Sequence, residues 1–158
     1  MTHGVRIHQT GGPDVLRWEV VEVAPLAPGE LRVRHAAIGV NFIDTYFRTG
    51  LYPTKLPTVL GGEAAGVIDE VGEGVTGFAR GDRVAYATGP LGAYAEVRNI
   101  PAAHVVKLPD GIDDVTAAAS MLKGMTAQYL ARRTHVVQKG ETIVVHAAAG
   151  GVGLILCQ

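Results

Sequence analysis

From Met1 to Val40, apolar and polar positions alternate in short runs with turn residues between them: Val5–His8, then Gly11-Gly12-Pro13-Asp14, Leu16–Val23, Pro25–Glu30 and Leu31–Val40. Strands of this length at this spacing predict an all-β barrel or sandwich. Leu31, Val33 and His35 alternate with Arg32, Arg34 and Ala36, which predicts one buried and one wet face. The period then changes. Phe42, Ile43, Tyr46 and Phe47 recur at helical spacing, with Asn41 placed to cap the helix and Gly50 to end it. Beyond Pro53 and Pro57, Gly61-Gly62-Glu63 enters a strand ending at Val71, and Gly81-Asp82-Arg83 starts another over Val84–Ala87. Ala93–Val97 and His104–Leu108 are the last short strands expected before Pro109-Asp110-Gly111.

Helical signals follow. Asp113 or Asp114 can cap a segment over Val115–Leu122, and Thr126–Arg133 is a second expected helix with cationic residues in its last turn. Thr142–Ala147 is a β-branched apolar run of the kind that forms a strand buried on both faces. A small-residue turn, Ala148 to Gly153, comes next, and Leu154–Gln158 reads as the first turns of a helix. This order suits phosphate binding, because glycines let the backbone approach a pyrophosphate and the N–H groups of a helix N-terminus attract its charge. A turn that uses its glycines for packing alone is the competing reading. A dinucleotide fold needs further parallel strands and a ribose-reading residue about twenty positions beyond the glycines. Neither occurs before Gln158, so the chain is expected to be the front half of a longer enzyme.

Composition narrows the classes. Charged residues make up 18% and apolar ones 47% of the chain, which describes a compact, turn-rich protein rather than a disordered one. The net charge is −1 and no Lys/Arg run exceeds Arg132-Arg133, so a nucleic-acid or anionic-membrane footprint is missing. The single cysteine, Cys157, excludes an internal disulfide. With no apolar run of membrane-spanning length and no signal-peptide pattern, cytoplasm is the expected location. The six histidines, His3, His8, His35, His104, His135 and His146, show no metal-ligand spacing.

With these residues placed, the chain resembles the zinc-independent quinone oxidoreductases of the medium-chain dehydrogenase/reductase superfamily, the zeta-crystallin-like branch. The resemblance rests on Asn41-Phe42-Ile43-Asp44-Thr45-Tyr46 with Gly50-Leu51-Tyr52-Pro53, on Gly62-Glu63-Ala64-Ala65-Gly66-Val67, on Leu122-Lys123-Gly124-Met125-Thr126-Ala127, and on Gly140 through Gln158. It implies a mainly β, partly open GroES-like barrel over residues 1–122. A connecting helix and the first strand-turn-helix of a Rossmann-type domain would occupy 123–158. The active site would lie in the cleft between the two. Where the wider superfamily holds catalytic zinc with a cysteine and a Gly-His-Glu histidine, the corresponding places look like Asn41-Phe42-Ile43 and Gly61-Gly62-Glu63, so no metal is expected.

The resemblance further implies NADPH as cofactor, a quinone as substrate and a homodimer. A quinone is already electrophilic, so hydride addition asks the protein for orientation, a dry pocket and hydrogen bonds rather than a Lewis acid. Asn41, Tyr46 and Tyr52 are the implied catalytic residues. Asn41 and Tyr46 would face the nicotinamide, Lys123 and Thr126 would run along the ribose and phosphates, and Ala149, Gly150, Gly151, Val152 and Gly153 would cradle the pyrophosphate. The plainer roles stay open: a helix cap for Asn41, core packing for Tyr46 and Tyr52, a solvated cation for Lys123. Glu63 and Asp44 are expected to bond turn amides rather than do acid–base work, and Cys157 to be inert. Rival functions are a zinc-free enoyl or alkenal reductase and a non-enzymatic binding or structural protein.

Overall fold

The structure, a computed structural model, describes residues 1–158. It divides into two compact units, Met1–Ala119 and Ser120–Gln158.

The first unit is built on two antiparallel sheets. β1 (Thr2–Ile7) lies between β2 (Arg17–Val21) and β4 (Thr58–Val59). The larger sheet has the order β7-β3-β5-β6-β8, with β3 spanning Glu30–Gly39, β5 Glu63–Val71, β6 Arg83–Ala87, β7 Val97–Pro101 and β8 Val106–Lys107. Neither sheet closes on itself, which agrees with the partly open barrel expected from the resemblance. A bridge between Gly4 and Ala95 joins β1 to the segment before β7. The expected strand Ala93–Val97 is corrected by this arrangement. Regular pairing begins only at Val97, because Ala93 and Tyr94 spend their N–H groups on the carbonyls of Gly61 and Leu60.

β3 shows why its alternating sequence was informative and where the rule stops. Leu31 and Val33 are fully buried and join Ala64, Ile68, Val84, Tyr86, Ala93, Ile100 and Val105 in the main core. The register with β5 shifts between His35 and Ala37, and pairing with β7 ends at Arg34. Past that bulge the strand no longer has two neighbours.

Between β3 and β4 runs α1 (Phe42–Thr49), with Asn41 at its N-cap and Gly50 at its C-cap. Gly50 has φ of +84°, a left-handed conformation that a glycine adopts without Cβ strain. Both boundaries match the sequence reading.

α2 (Asp114–Tyr129) is one helix where two were expected. Gly124 costs it only about 1 kcal/mol of propensity, too little to break a helix that long. Asp113 caps it, accepting the Thr116 N–H at 2.8 Å, and that hydrogen bond holds the Asp113 carboxyl below its usual range. Arg83 on β6 ties the helix start down through Asp114 at 3.0 Å.

In the second unit, α2 runs out into a π-helical turn over Leu130–Thr134, and α3 covers Gly151–Leu156. Thr142–Ala147 forms no strand, and Val144 is 82% exposed. A strand buried on both faces needs neighbours for its backbone N–H and C=O groups, and this run pairs with none. The helix expected to open at Leu154 starts at Gly151 instead.

Candidate functional site

Asn41 sits where β3 hands over to α1, and four groups meet there. Its backbone N–H donates to Asp44 Oδ2 at 2.9 Å, the acid at the third helical position reaching back to the cap. Its side-chain Nδ2 donates to Glu63 Oε2 at 2.6 Å. Asp44 also accepts from the Tyr94 hydroxyl at 2.6 Å. Burial, and then the Asp44 carboxylate it bonds, push the Tyr94 phenol well above its ordinary range. Glu63 is fully buried and Asp44 nearly so. Asn41 is thus a helix cap, as one reading had it, and also the partner of a buried carboxylate. Glu63, expected to bond turn amides, accepts from this side chain.

A cavity of about 610 Å³ opens beside this group. The cap residue Asn41 with Asp44, Thr45 and Arg48 of α1 supplies one wall, Ala36, Ala37 and Ile38 of β3 with Val40 just after it another, and Trp18, Tyr94 and His35 close it further. His35 donates from Nδ1 to the Ala95 carbonyl at 2.6 Å. That carbonyl can only accept, so Nε2 is the acceptor for the Tyr86 hydroxyl at 2.8 Å. Burial, with the Arg98 cation close by, lowers the His35 pKa from 6.5 to about 4, and burial raises that of Tyr86 to about 12. The Arg98 guanidinium lies 5.5 Å from the Tyr86 ring centroid.

The expected catalytic tyrosines lie elsewhere, Tyr46 on α1 and Tyr52 in the loop after it, and neither lines this cavity. Tyr46 packs edge-on against Phe42 at 5.4 Å and Tyr52 at 5.3 Å, and Tyr52 meets Phe47 at 5.7 Å. The Tyr52 N–H bonds the Tyr46 carbonyl at 3.1 Å, so the loop after the helix is folded back onto it. Phe42 is 74% exposed and Tyr52 43%, an aromatic surface rather than core packing. The structure therefore brings Tyr46 and Tyr52 together and sets Asn41 a turn away, in the carboxylate cluster.

In the second unit, Gly150 caps α3, and the first-turn N–H groups of Gly151, Val152 and Gly153 have no carbonyl within the helix to bond. Gly153 packs on the carbonyl of Ala147 and the backbone of Ala148 so closely that a Cβ would collide with both. The Lys123 stem crosses Gly151, where a Cβ would lie 2.7 Å from its Cδ. Ala149, Gly150 and Gly151 are exposed, and Val152 is half-buried. Thr126 is one turn along α2, its hydroxyl donating to the Leu122 carbonyl at 2.7 Å. Lys123 and the glycine turn are thus brought together. An open backbone with small residues fits a phosphate-bearing cofactor there.

No group of three or more His, Cys, Asp and Glu side chains converges on a point that could hold a metal ion. No helix is long and apolar enough to cross a membrane. Tyr94, His35 and Arg48 were not singled out from the sequence. Their partners lie far off in the chain, and only Asp44, at the third position after a capping Asn, carried a local signal.

Comparison with known proteins extends these observations. The family model described as "Alcohol dehydrogenase GroES-like domain" matches residues 27–110. A quinone oxidoreductase of Pseudomonas aeruginosa is 55% identical over 100% of this chain and 49% of its own length. A 2-haloacrylate reductase of a Burkholderia species is 51% identical over 95% of this chain and 47% of its own. The crystal structure of Escherichia coli quinone oxidoreductase complexed with NADPH superposes with a TM-score of 0.96 at 49% identity, covering 98% of this chain and 48% of that one. The chain spans about half the length of the relatives it matches.

Proposed function

Because the chain belongs to the alcohol dehydrogenase GroES-like family, we propose that the protein carrying it is an NADPH-dependent quinone reductase working by hydride transfer without a metal ion. The likeness of 98% of the chain, at a TM-score of 0.96, to a quinone oxidoreductase complexed with NADPH carries this reading. When bound, the nicotinamide supplies the hydride. This chain's residues supply position and surroundings. The N–H groups of Gly151, Val152 and Gly153, with Ala149 and Gly150 leaving room, receive the pyrophosphate, and Lys123 and Thr126 flank the ribose and phosphates. Asn41, held by Glu63 and Asp44, meets the nicotinamide end. Tyr46 and Tyr52 offer ring edges for a planar substrate and hydroxyls for the charge that grows on its oxygen. A cytoplasmic homodimer, with the active site in the cleft between barrel and nucleotide domain, completes the reading.

A second reading has its own support. The 51% identity to a 2-haloacrylate reductase favours reduction of an activated carbon–carbon double bond by the same parts. The two separate in one assay: loss of NADPH absorbance by the full-length protein, offered a benzoquinone or a 2-haloacrylate. Faster kcat/KM on the quinone supports the first reading, and a preference for the haloacrylate replaces it with the second. Oxidation of NADPH with neither, at saturating cofactor, would sink both.

A further inference from the structure

Asp44 is a buried acid whose two partners are both neutral. Its Oδ2 accepts the Asn41 N–H at 2.9 Å and the Tyr94 hydroxyl at 2.6 Å. Arg48, four positions along α1, sends its Nε to the Gly11 carbonyl at 3.3 Å instead. The start of α1 thus carries an anion that is hydrogen-bonded but not neutralised. We propose that the fixed charge of Asp44 favours the oxidised, cationic form of the nicotinamide over the reduced, neutral one, and so eases loss of the hydride. The proposal rests on the reading above that Asn41 meets the nicotinamide end.

Hydride transfer separates charge. One C–H bond of the dihydronicotinamide breaks and its electron pair leaves with the hydrogen, so a neutral ring becomes a cation. The quinone gains that hydride, becomes an anion and takes one proton from water. An anion near the ring lowers the energy of the first product, whereas one near the quinone oxygen would raise that of the second. The segment from Asn41 to Tyr52 keeps the two needs apart. Asp44 stands with Asn41 at the start of the helix and faces the cavity, which neither Tyr46 nor Tyr52 lines. The position of the charge is fixed from both sides. The Asn41 side chain accepts the Asp44 N–H in the capping box, and the Tyr94 ring that holds Oδ2 lies against Gly61, where a Cβ would collide with it. Screening is weak as well. Asp44 is 5% exposed, and Leu16, Ile38, Val40 and Leu60 line the cavity beside it; hydrocarbon does not reorient around a charge as water does. Within the protein the charge is already felt at Tyr94, whose phenol is pushed upward by burial and then by Asp44.

The test is a ratio of dissociation constants. NADP+ and NADPH are titrated by calorimetry into the full-length wild type and into the variants Asp44→Asn, Asp44→Ser and Tyr94→Phe. Even at about 12 Å, with an effective dielectric constant of about 20, one unit charge shifts the equilibrium of another about tenfold. Asp44→Asn keeps an oxygen for the Asn41 N–H and the Tyr94 hydroxyl and loses only the charge, so it should weaken NADP+ relative to NADPH by about tenfold or more. Asp44→Ser removes the same charge and should move the ratio the same way, which keeps the test available if the asparagine variant does not fold. Tyr94→Phe keeps the charge and removes one of its hydrogen bonds, so the ratio should stay where it was. A role in the fold alone would weaken both dinucleotides together. A ratio unchanged in a folded variant without the charge overturns the proposal, as does an equal shift in Tyr94→Phe; either result leaves the proposed function standing. A wild type that binds neither dinucleotide removes the proposed function, and this proposal with it.

Discussion

Replacing His35 by glutamine should remove most of the dependence of stability on pH between 6.5 and about 4. The neutral imidazole is built into the fold: Nδ1–H is committed to the Ala95 carbonyl and Nε2 to the Tyr86 hydroxyl, with Arg98 close by. Protonation would place a cation in this partly desolvated setting and take away the lone pair that Tyr86 uses. The pKa of the folded form, about 4, lies below the 6.5 of the unfolded chain, so between these values the unfolded chain binds a proton that the folded chain does not. The stabilisation is complete above pH 6.5 and is lost as pH falls through about 4. At about 1.4 kcal/mol per pH unit, this gap amounts to about 3 kcal/mol, a ceiling because part of the ring reaches solvent. Urea unfolding followed by far-ultraviolet circular dichroism, repeated from neutral pH downward, gives the curve for each protein. Glu96, Asp113, Asp82 and Glu141, whose carboxyls are also held low by hydrogen bonds, weaken both proteins alike at more acidic pH and cancel in the difference. The wild type should lose up to about 3 kcal/mol relative to the variant across the window, with a slope no steeper than one proton allows. Parallel curves would refute the reasoning.

Two structural predictions follow from the cluster around Asn41. Tyr94→Phe keeps the ring and removes the hydroxyl that serves the buried Asp44, so it should cost about 1.5–3 kcal/mol in urea unfolding; pairing it with Asp44→Asn should shrink that cost, and additive losses would show that the two do not interact. Gly39→Ala forces a methyl into the Glu63 carboxylate and should cost about 2 kcal/mol or more by the same measurement, whereas a neutral result would mean that β3 shifts freely at this point.

The helix after Asn41 was legible because its signals are local. A capping residue, an apolar stripe and a terminal glycine all lie within Asn41–Gly50, and the structure keeps those bounds. Gly150–Gly153 was legible in kind, although its helix opens earlier than the apolar pattern suggested. Thr142–Ala147 misled for the opposite reason. A β-branched run has strand propensity, but a strand exists only with a ladder partner, and propensity cannot supply one. Ala93–Val97 misled in the same way, since its first residues bond a loop rather than a strand. The pairs that shape the Asn41 cluster, Asn41 with Glu63 and Asp44 with Tyr94, join residues brought close only by the pairing of β3 with β5 and the fold of the loop before β7. No periodicity records such a meeting.

The bulge in β3 has a consequence for how this sequence can change over time. Leu31–Arg34 pair on both sides and send Leu31 and Val33 into the core, whereas Ala36, Ala37 and Ile38 lie beyond the last bond to β7 and line the cavity. One strand thus carries two mutational regimes. Substitutions at Leu31 and Val33 are filtered by folding, and those at Ala36, Ala37 and Ile38 by what occupies the hollow, so the lining can diversify while the scaffold stays fixed.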